Sequence, residues 1–262
     1  MNIVNKIQYI GEKTILLIIN IGKACFILKH AISGNINIRK NIKQIIKQMY
    51  FVGVLSLGII IISGFFIGMV VGLQGYNILK KFGAEQLLGQ MVVLTITREL
   101  GPVVSALLFA GRTGASLTAE IGLMKITEQL ISMEMMGIDP LKKIITPRLI
   151  SGIISMTLLS LIFIAASIIG SYITIVKWLN IDSNIFWCSI QNTMNFKNDI
   201  MNSLIKSLVF GFTITWISLF QGINCKFTAE GIGIATTKTV VYSSFAILSI
   251  NFFLTAIMYT WK

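Results

Sequence analysis

The segment Phe51–Leu73 is an uninterrupted apolar run of 23 residues without a charged side chain. As a helix it would rise about 35 Å, which is enough to cross the hydrocarbon layer of a bilayer with slight tilt. Gly64, Gly68 and Gly72 recur every four residues within it. This spacing gives one smooth face that another helix can approach closely, although glycine is also simply tolerated in membrane helices.

Composition and further apolar stretches extend this pattern to the whole chain. Of the 262 residues, 55% are hydrophobic and 12% are charged, and the mean hydropathy is +0.81, which excludes an ordinary soluble domain. The further stretches are Leu88–Leu108 or on to Ala119, Leu149–Val176, Ile200–Ile223 and Ser244–Trp261. The sequence therefore predicts an all-α integral membrane protein with about five transmembrane helices, forming a single domain over residues 1–262.

The distribution of Lys and Arg between the loops predicts the orientation of the chain. If the N-terminus is cytoplasmic, segments 1–50, 112–148 and 224–242 carry fifteen of these residues, and the opposite segments carry five. This asymmetry favours a cytoplasmic N-terminus. The net charge of +12 then indicates loops that face anionic lipid rather than a nucleic-acid site.

Two amphipathic segments are expected at the membrane surface. Residues 1–49 are predicted to form an interfacial and cytoplasmic region that precedes a transmembrane region over residues 50–262. Within Ile3–Leu28, apolar side chains recur every three or four positions, which gives a helix one apolar stripe. Such a helix fits the membrane interface, although a helix packed on its own protein has the same pattern. The segment 177–199 is also amphipathic and is expected at the outer interface.

Two charged residues, Arg98 and Glu99, lie inside the second predicted span, where charge is costly and usually functional. Neighbouring helical residues are about 100° apart, so these two either pair imperfectly or point into a polar cavity or another chain. Pro102 follows and is expected to kink the helix, a common way to build a cargo pocket in a membrane. We therefore predict a cargo pocket here, against the alternative of a pair that only satisfies itself between helices. Lys206 also lies inside a predicted span.

The loop between the second and third predicted spans contains a short amphipathic helix over Ile126–Met136. Its apolar side would consist of Ile126, Leu130, Met133 and Met136, and its polar groups of Glu128, Gln129 and Glu134. Gly137 suits the left-handed position after a helix. A charged helix that ends in this way between two spans is typical of a docking element, although a plain solvated loop helix has the same features.

No soluble-enzyme motif accompanies these features. The chain has no G-x-x-x-x-G-K-[ST] phosphate loop, no Cys/His metal spacing and no serine nucleophile elbow. A cofactor bound to this chain is therefore not expected. If the protein pumps a cargo, a partner must hydrolyse the ATP.

Several ordered motifs resemble the MlaE/YrbE family of ABC-transporter permeases. They are RELGPV at 98–103, GRTGA at 111–115, AEIGLMKITEQ at 119–129, MEMMGIDP at 133–140 and AEGIGIATTKTVV at 229–241. The last of these resembles the cytoplasmic loop that precedes the final span in that family. Two positions depart from the family pattern, since Leu123 stands where Thr is common and Ser132 where an acidic residue is usual.

The resemblance implies a homodimeric permease in the bacterial inner membrane, bound to two cytoplasmic ATPase subunits that carry ATP and Mg²⁺. It also implies a periplasmic MCE-domain protein and, in some relatives, a STAS-domain partner. Members of this family move phospholipid between the inner and outer membranes and so maintain the lipid asymmetry of the outer membrane.

The same resemblance assigns roles to two groups of residues. Arg98, Glu99 and Leu100 would line a lipid pocket at the dimer interface. Residues 128–137 would form a coupling helix that enters a groove on the ATPase, with contacts from Glu128, Gln129, Glu134, Met135 and Gly137.

Three other functions remain compatible with the sequence. The chain could be a permease for another lipid or a steroid, an autonomous ion-coupled carrier that uses Arg98, Glu99 and Lys206, or a membrane scaffold. The lack of inverted halves with matching broken helices argues against a typical carrier. The long segment that resembles a coupling helix argues against both the carrier and the scaffold.

Overall fold

The computed structural model describes residues 38–260, together with residues 11, 12, 15, 19, 22–26 and 29 of the N-terminal region. Within these residues the chain forms helices joined by short turns, without a strand. Five helical segments are long and apolar enough to cross a membrane. We call them spans 1 to 5, and they are Ile42–Lys81, Glu85–Ile126, Leu141–Trp178, Asp199–Ile223 and Ala229–Met258. The predicted all-α integral membrane fold with five transmembrane helices is confirmed.

The spans are built from α-helices that are joined by short π-helical or 3-10 turns. The α-helices are Ile38–Val52, Leu57–Lys81, Leu88–Thr95, Gly101–Phe109, Ala115–Ile126, Thr146–Tyr172, Phe196–Ile223 and Ala229–Thr260. The π-helical turns are Ile96–Leu100, Ala110–Gly114, Leu141–Ile145 and Ile173–Trp178, and the 3-10 turns are Val54–Ser56 and Glu85–Leu87. Two short helices, Gln129–Met135 and Ser183–Thr193, lie between the spans.

Span 5 begins earlier than the sequence predicted. The segment 229–241 was expected to be a loop before a span at Ser244, and this prediction was wrong, because the helix begins at Ala229. The hydroxyl of Thr228 accepts a hydrogen bond from Gly231 N at 3.0 Å and so starts the helix. A prediction from hydropathy alone places the start of span 5 too late, because small polar residues such as Thr239 and Ser243 belong to the helix and are buried between helices.

Spans 1 and 3 pack closely along the glycines that the sequence singled out. A side chain at Gly68 would collide with the carbonyl of Ser167, and one at Gly64 would approach the carbonyl of Phe163 to 2.9 Å. On the facing helix, Gly170 lies against the backbone of Phe65. The smooth glycine face is therefore a helix-packing surface, as small residues at membrane helix interfaces usually are.

The bundle interior combines large apolar side chains with hydroxyl groups. A core cluster joins spans 1 to 5 through Ile60, Phe109, Phe163, Phe210 and Ile247, among others. Beside it, the hydroxyl of Thr118 in span 2 lies 3.0 Å from the Ser218 carbonyl of span 4 and 2.9 Å from the Thr239 hydroxyl of span 5. Such hydrogen bonds between helices fix the register of spans that lipid surrounds.

The amphipathic helix predicted over Ile3–Leu28 lies mostly outside the described residues. Its described positions are helical, and one contact joins this region to span 4, where Trp216 Nε1 donates to the Ala24 carbonyl at 3.1 Å. The helix Ser183–Thr193 lies within the second predicted amphipathic segment. Its Phe186 and Ile190 are buried together with apolar residues of span 2.

Candidate functional site

A polar cluster lies between spans 2, 4 and 5, at the point where the α-helix of span 2 is interrupted. Just before Pro102, where the sequence predicted a kink, the chain forms the π-helical turn Ile96–Leu100. Pro102 has no N–H and cannot donate to the carbonyl of Arg98, four residues earlier. The ammonium group of Lys206 in span 4 donates to that carbonyl oxygen at 2.9 Å. The interruption thus exposes a backbone acceptor that a charged side chain of another span satisfies.

Lys206 is at the centre of this cluster. It is fully buried, and its Nζ also donates to Glu99 Oε1 at 2.9 Å and to Thr255 Oγ1 at 2.8 Å. An ammonium group has three N–H donors, and here they meet three acceptors. The hydroxyl of Thr255 donates to Glu99 Oε1 at 3.0 Å, and Asn251 Nδ2 donates to the other carboxylate oxygen at 3.0 Å. Both oxygens of Glu99 are therefore satisfied by spans 4 and 5.

Arg98 forms a second ion pair with span 4. Its Nε donates to Asp199 Oδ1 at 2.9 Å, and Asp199 Oδ2 accepts from the backbone N–H of Asn195 at 3.2 Å. Only Asp199 is buried in this pair, so loss of Arg98 would leave a buried carboxylate without its cation, which is destabilising. The two pairs together therefore hold spans 2 and 4 in a defined register.

The sequence left open whether Arg98 and Glu99 pair with each other or face a cavity. In the structure each pairs with a residue of span 4, so neither depends on the other for its counter-charge. The side chains of Arg98 and Glu99 are each 36% exposed, whereas those of Asp199 and Lys206 are 4% and 0% exposed. Leu100 follows them and is half-buried. The span 4 residues of the cluster are thus buried, whereas its span 2 residues remain partly exposed.

Three members of the cluster, Asp199, Asn251 and Thr255, were not identified from the sequence. A signal existed in each case. Asp199 and Lys206 are seven residues apart, which places both on one face of a helix after two turns. Asn251 and Thr255 are four residues apart in an otherwise apolar span, and this spacing also places two side chains on one face.

The short helix between spans 2 and 3 is present, but it is shorter than predicted. It covers Gln129–Met135, and we call it the loop helix. Glu128 lies just before it in a left-handed conformation with a φ of 56°, so this residue precedes the helix rather than belonging to it. Gly137 has a φ of 73°, which confirms the predicted left-handed position after the helix.

The loop helix presents its predicted contact residues at the surface of the chain. Those residues are all exposed, and they are Glu128, Gln129, Glu134, Met135 and Gly137. Met135 is 85% exposed. Leu130 and Met133 are half-buried, as expected for the apolar side, whereas Met136 was assigned to that side and is exposed. The helix ends at Met135, so Met136 no longer follows the helical repeat that would turn it inward.

Comparisons with known proteins identify relatives of the whole chain. The family model for Permease MlaE matches residues 45–257. The chain is 52% identical over 257 residues to the intermembrane phospholipid transport system permease protein MlaE of Haemophilus influenzae, covering 98% of both chains. It is 38% identical over 261 residues to a probable ABC transporter permease protein of Rickettsia bellii, covering 99% of this chain and 98% of that one. A probable ABC transporter permease protein of Synechocystis sp. is 35% identical over 230 residues, or 88% and 86% of the two chains.

Proposed function

Because the chain belongs to the MlaE permease family, we propose that it is the membrane-spanning permease of an ABC transporter that moves phospholipid between the inner and outer bacterial membranes. Its work would maintain the lipid asymmetry of the outer membrane. The observation that carries this proposal is the polar cluster of Arg98, Glu99 and Lys206, which lies within membrane spans and remains accessible on one side. A polar group inside a membrane span usually marks a substrate path.

Arg98, Glu99 and Leu100 are the proposed lipid-binding residues. A guanidinium group binds phosphate with directed hydrogen bonds, so Arg98 would attract the head group. Glu99 is held by Lys206 and Asn251 and would balance the local positive charge or orient the head group. Leu100 would contact the acyl chains next to the head group.

A second copy of the chain is the proposed partner within the membrane. Most of span 5 is not covered by its own chain. Its uncovered side chains are large and apolar, and include Phe245, Leu248, Phe252, Phe253 and Ile257. Span 5 also contributes Asn251 and Thr255 to the polar cluster. A copy that docks along this span would therefore lie next to the lipid-binding residues and enclose a cavity with them.

The loop helix is the proposed coupling element, and it would bind the cytoplasmic ATPase. The exposed residues of this region support the role, since they offer charged and apolar surface to a partner. They are Glu128, Gln129, Glu134, Met135 and Gly137. ATP and Mg²⁺ would be bound by the ATPase, and this chain would hold no cofactor. With the N-terminus in the cytoplasm of an inner-membrane protein, span 2 would end on the cytoplasmic side and deliver the loop helix there.

The remaining proposed partners lie on either side of the membrane. A periplasmic MCE-domain protein would receive or deliver the lipid, and a STAS-domain protein would accompany the ATPase. Closure of the ATPase subunits would push on the loop helix and reshape the cavity. This can expel a lipid only if the two states of the cavity bind it with different affinity.

Transfer of fluorescent phospholipid between liposomes by the complex with its ATPase tests the lipid-binding role. We expect Arg98→Gln to reduce transfer about tenfold, since a hydrogen bond from a charged group is worth about 1.5 kcal/mol or more. Glu99→Gln should also reduce transfer, and because its amide oxygen can still accept from Lys206 Nζ, the complex should still assemble. The control is Arg112→Gln, because Arg112 binds the Phe51 carbonyl and Ser56 hydroxyl, away from the cluster. Arg98→Lys keeps a cation beside the buried Asp199, so normal transfer by this variant and by assembled Arg98→Gln would contradict the lipid-binding role.

The buried pair of Glu99 and Lys206 also suits an autonomous ion-coupled carrier. Transport that continues without an ATPase and stops when the ion gradient is collapsed would favour that carrier. A panel of donor liposomes with different head groups, and with a steroid in place of the phospholipid, separates the phospholipid permease from a permease for another lipid.

A further inference from the structure

A cavity of about 250 Å³ lies at one end of the bundle, far along span 2 from the Arg98 cluster. Its lining residues come from the beginning of span 1, the end of span 2, the loop helix and the beginning of span 3. The polar ones are Gln44, Lys47, Gln48, Lys143 and Arg148. The apolar ones are Met124, Met133, Ile144 and Pro147.

The cavity is strongly basic. Among the residues that the structure describes, Lys47, Lys143 and Arg148 line it and no acidic residue does. Of the carboxylates at this end of the bundle, Glu120 pairs with Arg148 at 3.0 Å and Asp139 with Lys142 at 3.3 Å. Glu128 and Glu134 belong to the loop-helix region and are exposed. Because Glu120 offsets the charge of Arg148, the excess positive charge of the lining comes from Lys47 and Lys143, and it attracts an anion.

Two buried polar atoms of the lining have no hydrogen-bond partner among the described residues. They are Arg148 Nε and Gln48 Oε1. Arg148 is only 5% exposed, and its other contacts are Nη2 to Glu120 and Nη1 to the Met124 sulfur at 3.8 Å. A buried N–H without an acceptor is costly, so a ligand that brings an acceptor oxygen to Arg148 would be stabilised there. The same ligand could offer a hydroxyl to Gln48.

The position of the cavity in the fold indicates an amphiphilic ligand. Successive spans cross in opposite directions, so the start of span 1, the end of span 2 and the start of span 3 lie at one membrane face. The cavity therefore lies where hydrocarbon meets head groups, with Met124 and Ile144 beside the cations. Basic pockets between transmembrane helices at this depth suit anionic lipid head groups.

We propose that this cavity binds the head group of an anionic phospholipid from the surrounding membrane, as a site separate from the transport pathway. The phosphate would lie between Lys47, Lys143 and Arg148, and the acyl chains would extend into the adjacent lipid. A head-group hydroxyl such as that of phosphatidylglycerol would reach Gln48. Binding at this site does not depend on the proposed transport function.

Met133 of the loop helix lines the same cavity, which gives the site a regulatory consequence. A bound head group would hold the loop helix against spans 1 and 3. This part of the inference rests on the proposed function of the loop helix as the coupling element. The anionic lipid content of the membrane would then influence how well the permease responds to its ATPase.

Native mass spectrometry of the detergent-solubilised full chain, titrated with short-chain phosphatidylglycerol or phosphatidylcholine, tests the site. We expect phosphatidylglycerol to bind more tightly, and Lys47→Gln and Lys143→Gln each to weaken its binding about fivefold. Lys142→Gln is the matched control, since this neighbouring lysine pairs with Asp139 and does not line the cavity. Neither lysine variant removes a buried ion pair, so both should remain folded, as monitored by thermal unfolding.

Three results would overturn the proposal. The first is equal binding of the two lipids, and the second is binding that Lys47→Gln and Lys143→Gln leave unchanged. The third is competition by inorganic phosphate as effective as that by phosphatidylglycerol, which would make the site one for a free anion. Lipid binding at this site without any lipid transfer by the complex would uphold the site and count against the proposed transport function, so the two failures are distinguishable.

Discussion

The polar cluster around Lys206 and the loop helix Gln129–Met135 are both charged regions in an apolar chain. They differ in how deeply their side chains are buried and in how they are hydrogen-bonded. In the cluster, Lys206 is fully buried and bonded to three acceptors. In the loop helix, Glu134 and Met135 are exposed, and no side chain of the helix is buried. The cluster therefore contributes to the stability of the fold, whereas the loop helix contributes surface.

This difference separates two uses of charge in a membrane protein. Charges inside the spans must be compensated by the chain itself, because lipid offers neither water nor counter-ions. Charges at the loop helix are compensated by water and remain available to a partner. Substitutions in the cluster should consequently affect stability first, and substitutions in the loop helix should affect binding alone.

The largest effect is expected for Lys206→Met. It leaves the Glu99 carboxylate without its cation and the Arg98 carbonyl without its donor, so we expect a loss of about 3–5 kcal/mol in the free energy of unfolding. Thermal unfolding in detergent measures this loss. A double variant, Lys206→Met with Glu99→Met, removes both charges and should recover part of the stability. Unchanged unfolding of Lys206→Met would show that the cluster is not a stabilising element.

A smaller loss is expected for Asp199→Asn. The amide oxygen can still accept from Arg98 Nε, but the bond loses the assistance of the negative charge, which costs about 1–2 kcal/mol. The same unfolding measurement applies. Asp182→Asn is the control, because Asp182 is exposed and caps the helix Ser183–Thr193, where Asn caps equally well. Equal shifts in both variants would contradict a special role for the Arg98 pair.

Thr255→Val should have a weaker effect of about 0.6 kcal/mol, the average for a hydrogen bond between membrane helices. Valine keeps the shape of threonine but removes the hydroxyl that Glu99 and Lys206 share. A double-mutant cycle with Glu99→Gln measures the coupling between the two positions. Strict additivity of the two losses would mean that the hydroxyl does not take part in the network.

The smallest effect on stability is expected at the loop helix. Met135→Ser should change the free energy of unfolding by less than about 0.5 kcal/mol, since Met135 has little packing to lose. ATPase binding should weaken in the same variant, and a pull-down with the purified ATPase measures it. Met135→Leu keeps the apolar surface and should bind normally. Destabilisation by Met135→Ser without any change in binding would reverse the contrast between the two regions.

The sequence predicted much of the fold because membrane spans depend on long apolar runs. All five spans were found. Spacing indicated a packing face at Gly68, with simple tolerance of glycine as the alternative, and the place of Gly137 after a helix indicated its turn role. The start of span 5 was misplaced, because small polar residues that pack between helices resemble those of a loop. Hydropathy does not distinguish a loop from a helix whose small polar residues are packed between other helices. The distinction depends on which helices face the segment.

The sequence identified the span 2 residues of the candidate site but not all of their partners in spans 4 and 5. Arg98 and Glu99 stood out because charge in a span is rare, but their partners come from positions about a hundred residues or more away. Pairing at that distance depends on which spans meet, and hydropathy does not determine it. The loop helix could be predicted without knowing which spans meet, because its apolar repeat and its terminal glycine are local in the sequence. The roles of Arg98, Glu99 and Leu100 in lipid binding, and of the loop helix in ATPase binding, remain predictions.

The measurement that tests the central claim most directly is affinity purification of the chain from native membranes in mild detergent, with mass spectrometry of the proteins that elute with it. We expect a Walker-motif ATPase to be recovered with the wild-type chain and with a Glu85→Lys control. It should be lost when Glu128 and Glu134 are both changed to Lys. Recovery of the chain without any ATPase, across several detergents, would contradict the assignment as an ABC permease and favour an autonomous carrier.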